Sequence, residues 1–230
     1  FAIRTTGFDV TAITIGASGS FSDNAGSSII SDRGNGLVMR ATDGRAISID
    51  VAGSISAGQN AILTTGNGNI TLNIGGTVSG TGGIPVAVRM VSDQTATLNI
   101  AASATVNGSV NVERLTTATA ATAMVTNAGT INGILAVQPA QATVTNMGSI
   151  AAGTGTAMQV SGANSRVRLT AGSITGNITV QNGTMLDWTG GTLAGGISGN
   201  DSTVGLTGIS AAQLATVTYL NGGGFNAVLN

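Results

Sequence analysis

The chain has 230 residues, enough for a sizeable core, but only 7% are charged and 3% aromatic. Its formal net charge of −1 offers no basic footprint for nucleic acid. The absence of Cys and His excludes disulfides, thiol nucleophiles, the usual zinc sites and a Ser-His-Asp triad within the chain. Charged residues make up about 25% of ordinary domains, so Ser, Thr, Asn and Gln must supply the solvated face here. Ile, Val, Leu and Ala must fill the interior. No apolar run reaches the roughly 20 residues that span a bilayer as a helix. The sequence starts at Phe1 and stops at Asn230 inside patterned stretches, so it reads as a piece of a longer polypeptide.

Residues 1–20 alternate apolar and polar positions through Val10, Ile13 and Ile15, which predicts a first, capping coil. Asp23, Asp32, Arg33, Arg40, Asp43 and Arg45 then concentrate in residues 21–46. From Phe21, in a weak opening copy of the recurring phrase (Ser18-Gly19-Ser20-Phe21), to Ile55 is 34 residues, which predicts a coil carrying an inserted, charged loop.

Beyond that segment the phrase recurs clearly. A small residue, often Gly, and Ser or Thr precede one large apolar residue, and a small polar residue and Gly or Ala follow. It reads Ala52-Gly53-Ser54-Ile55-Ser56-Ala57, Gly75-Gly76-Thr77-Val78-Ser79-Gly80 and Ala128-Gly129-Thr130-Ile131-Asn132-Gly133. From Ile55 the apolar positions Val78, Val106, Ile131, Ile150, Ile174 and Leu193 follow at intervals of 23, 28, 25, 19, 24 and 19 residues. Such self-similarity marks a solenoid whose single coil is too small to bury its own core.

Alternating apolar pairs flank each copy, such as Leu72/Ile74 before and Val86/Val88 after, and Gly/Asn/Ser turns separate them. Period-2 alternation over three to five residues predicts short half-buried strands. Three strands per coil give an all-β chain: a right-handed parallel β-helix (β-solenoid) of about 8–9 coils, each of roughly 19–28 residues. The β-helix is expected over residues 1–200. Residues 201–230 lose the phrase and are expected to form irregular final coils or the start of a following segment. In each copy the Ile, Val or Leu is expected to point inward, with Gly before it turning the chain at positive φ. Pro85 and Pro139 are expected at a strand start or in a loop, since Pro cannot donate to a ladder.

The phrase Thr126-Asn127-Ala128-Gly129-Thr130-Ile131 and its copy Thr145-Asn146-Met147-Gly148-Ser149-Ile150 resemble the passenger domains of bacterial autotransporters and the related two-partner secreted haemagglutinin-like adhesins. The resemblance covers residues 47–200 and is architectural. It implies export through the outer membrane, display on the cell surface or release, and a C-terminal outer-membrane β-barrel beyond this stretch. It also implies an adhesive or scaffolding role towards host glycan or protein, or self-association between cells. No motif of the enzyme-bearing members is matched, so no catalytic residue, cofactor or metal is expected.

Among candidate sites, Asp23, Asp32, Arg33, Arg40, Asp43 and Arg45 are expected to form a ligand-binding loop. Asp32 and Asp43, eleven residues apart, would face each other across it as an acid–base pair in a carbohydrate-active β-helix enzyme, a polysaccharide lyase or hydrolase. Otherwise these charges solubilise the loop. A structural stalk or filament spacer is the second alternative. Asp187 beside Trp188 is either a sugar-stacking platform or, in the place of Ile74 and Ile100, a core filler. Thr-rich strands raise an ice-binding face, against which the uneven coil lengths argue.

Overall fold

A computed structural model describes the chain apart from residues 8–9, 17–18, 84, 116–118, 209, 216, 221–224 and 230. The chain is an all-β parallel β-helix, and every strand pair is parallel to the strand one turn on. Three faces wrap the interior. Face 1 holds strands such as Ser28–Ser31, Ser54–Ala57 and Thr77–Gly80. Face 2 holds Leu37–Ala41, Asn60–Gly66 and Val86–Ser92. Face 3 holds Ile47–Val51, Ile70–Ile74 and Thr95–Ile100. Faces 1 and 2 belong to one sheet, because Ser149–Val160, Ser173–Gln181 and Thr192–Asn200 run around the corner between them unbroken. Pro85 lies just before a strand and Pro139 in the turn just after one.

The phrase forms the inner column of face 1. Ile29, Ile55, Val78, Val106, Ile131, Ile150, Ile174 and Leu193 are in register turn after turn. None is more than 2% exposed. Each such burial is worth about 1.5–3 kcal/mol, and each side chain lies on its own counterpart above and below. The opening copy differs from expectation. Phe21 pairs with Ile49 on face 3, and the first buried position of the phrase is Ile29, whose flanks Ser28 and Ile30 hide the motif. Residues 21–46 therefore contain two strands of the stack, Ser28–Ser31 and Leu37–Ala41, in place of an inserted loop. Face 3 stacks ten strands. The coil count thus differs slightly from the eight to nine expected.

The glycine of the phrase also has a different reason from the expected one. Gly172 and Gly191 do have positive φ (75° and 81°), but Gly53, Gly76, Gly129 and Gly148 do not. At Gly76 and Gly148 a Cβ would collide with the carbonyls of Gly53 and Gly129 in the neighbouring turn. Close stacking of corner on corner excludes the side chain.

Beyond residue 200 the described strands continue the stack. Ser202–Leu206 pairs with Met185–Trp188, and Phe225–Leu229 pairs with Ser202–Leu206. A short helix, Ala211–Ala215, stands between Ser202–Leu206 and Val217–Leu220.

One inner column of face 3 is interrupted by polar residues. It runs Val51, Ile74, Ile100, Asn127, Asn146, Leu169, Trp188, Leu206. Asn127 and Asn146 are fully buried, and Asn127 Nδ2 donates to Asn146 Oδ1 at 2.8 Å. Asn146 Nδ2 donates to the Gly148 carbonyl at 3.1 Å, tying the tight corner that follows. Trp188 is a core residue, 1% exposed, its indole N–H donating to the Gly190 carbonyl at 2.9 Å.

The Asn pair makes an uneven prediction. Asn127→Leu alone leaves the buried Asn146 Oδ1 without its donor and is expected to cost about 1–3 kcal/mol. The double change Asn127→Leu/Asn146→Leu is expected to cost less than the sum of the two single changes, read from urea unfolding midpoints. Additive losses would show that the amides are not coupled.

Candidate functional site

The six charged residues singled out from the sequence do not form one loop. Asp23 is buried at the corner between faces 3 and 1, where its carboxylate accepts from the Ala52 N–H, from the Gly53 N–H at 3.0 Å and from Ser27 Oγ at 2.7 Å. It binds its own corner to the next one. Asp32 and Arg33 lie at the corner between faces 1 and 2, and Asp32 pairs with Arg4 at 3.1 Å. Arg40 projects outward from face 2. Asp43 and Arg45 are exposed in the corner between faces 2 and 3, where Asp43 takes φ 57°, a left-handed conformation that Asp adopts at little cost. Asp32 and Asp43 are thus separated by the strand Leu37–Ala41, about 16 Å of extended chain, and do not face each other across a loop.

Alternation puts other polar groups together on the outer surface. On face 3, Asn73 Nδ2 donates to Asp50 Oδ1 at 2.7 Å, and Asn99 Nδ2 to Asn73 Oδ1 at 2.8 Å. On face 1, Asn132 donates to Asn107 at 2.8 Å and Asn107 to Ser79 at 3.1 Å. These ladders tie consecutive turns and leave the remaining amide and hydroxyl atoms facing solvent. The unequal coil lengths are absorbed at the corners, so face 3 stays in continuous register. Its outer Thr column is broken by Met124, Arg166 and Met185, so it is not an uninterrupted Thr array.

Two open clefts stand out among the described residues. One, of about 430 Å³, lies where faces 2 and 3 meet and is lined by Glu113, Arg114, Gln138, Pro139, Ser161 and Asn182. Glu113 is held there by Arg89 at 3.0 Å. The other, of about 470 Å³, lies on face 3 and is lined by Arg166, Arg168, Thr170, Asp187, Thr189 and Thr207. Asp187 Oδ2 receives Arg166 Nε at 2.7 Å and Nη2 at 2.6 Å. The sequence carried a signal for this second group. Arg166-x-Arg168 has the two-residue spacing of one sheet face, and Leu169-Thr170, Trp188-Thr189 and Leu206-Thr207 repeat a core residue followed by Thr. Among the described residues no group of three His, Cys, Asp or Glu is placed to hold a metal ion.

No family model, curated protein or solved structure matches the chain. The surface geometry is therefore the ground for a functional reading.

Asp23 belongs to the architecture. Asp23→Ala is expected to lower stability by about 1–3 kcal/mol through the donors it orphans, whereas Arg40→Ala should stay within about 0.5 kcal/mol. Chemical unfolding of both variants checks this. Equal effects would show that Asp23 does not staple the corner.

Proposed function

We propose that this chain is an autotransporter-passenger-like segment of an exported bacterial surface protein, working as an adhesin or scaffold without catalysis. The observation that carries this reading is the set of polar ladders on the outer surface of a parallel β-helix, such as Asp50–Asn73–Asn99, that link one turn to the next. Repeated weak contacts along such a face gain avidity without a deep pocket. The partners are host glycan or protein, or the same surface on a neighbouring cell. A repeat fold whose turns contact only their neighbours also suits a chain that leaves the cell unfolded and folds turn by turn outside it. In this reading the protein is displayed at the outer membrane through a C-terminal β-barrel, or released.

The test is binding of the purified chain to arrays of glycans and host-matrix proteins, with aggregation of cells displaying it measured in parallel. Selective binding or aggregation is the expected result. Silence in both would overturn the adhesive reading and favour a structural spacer.

A further inference from the structure

After Arg114 the sequence holds only four charged residues: Arg166, Arg168, Asp187 and Asp201. Three of them converge on the face 3 cleft. With two guanidinium groups and one carboxylate the cleft carries a local positive charge, on a chain whose formal net charge is −1. Asp187 is occupied by Arg166, which fixes that guanidinium against the sheet. Arg168 is exposed in the outer column directly beside Asp187, one strand away.

Gly205 supplies a second, independent observation. It is in the middle of Ser202–Leu206, at the outward position next to Asp187. Its φ is not in the positive range. A Cβ there would come within 3.3 Å of Asp187 Oδ1 and otherwise no closer than 3.8 Å. Backbone conformation does not require glycine, and the one tight neighbour of a Cβ would be the Asp187 carboxylate, while glycine weakens a strand. Its missing side chain leaves the sheet surface open on the side of Asp187 away from Arg168, at the margin of the cleft, as glycine does where a ligand approaches a strand closely.

We propose that this cleft is a binding subsite for an anionic polysaccharide, carboxylated or sulfated, lying along the solenoid axis. The proposal rests on the adhesive reading and gives it a ligand class and a place. The cleft crosses three adjacent strands of face 3, about 4.8 Å apart, a step comparable with one pyranose ring. Each of the three turns adds one exposed threonine at the end of its strand, Thr170, Thr189 and Thr207. The Thr170 and Thr189 hydroxyls donate to the Asn146 and Leu169 carbonyls at 3.4 Å and 3.3 Å and keep lone pairs that can accept from sugar hydroxyls. Arg168 suits a carboxylate or sulfate through its planar fork of donors. The six lining side chains are all polar, which suits a saccharide better than an apolar peptide.

The experiment measures binding of the 230-residue chain to heparin-derived and galacturonate oligosaccharides, with a neutral dextran oligosaccharide and polyglutamate as comparators. At least one of the anionic saccharides is expected to bind, more weakly as salt rises, and both comparators much less. Arg168→Gln should weaken binding about tenfold, the loss of one charge-assisted contact. Gly205→Val, at the cleft margin, should weaken it severalfold, with the melting temperature read on the same sample to separate a narrowed cleft from a damaged fold. Arg40→Gln, on another face, should bind as the unaltered chain does. No saccharide binding, polyglutamate binding of equal strength, or binding indifferent to both Arg168→Gln and Gly205→Val would each overturn the subsite. If array ligands found in the wider screen still bind both variants, the adhesive reading survives and this site does not.

Discussion

The structure depends on one constraint: each turn of chain must lie on the next in parallel register, with like side chains stacked on like. A single turn has no core. Backbone hydrogen bonds between turns and the apolar columns inside them form together or not at all, which is why Ile29 through Leu193 recur at one place on face 1. The glycines of the phrase follow from the same constraint. Corners stacked at strand spacing leave no room for a Cβ under the carbonyl of the preceding turn.

Two sets of buried polar groups in the interior link one turn to the next. Asn127 and Asn146 replace aliphatic residues in adjacent turns and so pair with each other. Asp23 is buried because three donors at neighbouring corners converge on it. In both cases the polar residue holds one turn to the next, the task performed on the outer surface by the Asn, Ser and Thr ladders. Few charges are needed in such a molecule, because amides and hydroxyls in register satisfy one another without the desolvation of ions. Where charges do gather, Arg166 and Asp187 pair across neighbouring turns as Arg4–Asp32 and Arg89–Glu113 do, and Arg168 is exposed beside them.

Parallel stacking also decides what can be built on the surface. Residues about 20 positions apart in sequence become neighbours, and a site is assembled from one or two residues of each turn. Arg166 and Asp187, 21 positions apart, meet in this way. Asp32 and Asp43, close in sequence, do not, because a strand of the stack runs between them.

The sequence by itself determined the fold class and the inward residue of each phrase from Ile55 onward, since period-2 alternation and a repeat of about 20–25 residues point to a stack of short parallel strands, whereas Trp188, open between surface platform and core filler, was placed in the core only by the structure. It misplaced the opening coil, because Phe21 is an inward residue of a different face and Ile29 lies between polar and apolar neighbours that mask the phrase. It saw the charged residues of 21–46 as neighbours because they are neighbours along the chain. Only the tertiary structure distributed them over different corners and faces, sent Asp23 inside, and brought Arg168, Asp187 and Gly205 side by side. The physical reason is that alternation fixes which side of a strand a residue occupies, while the lengths of the corners fix which residue of the next turn lies beside it.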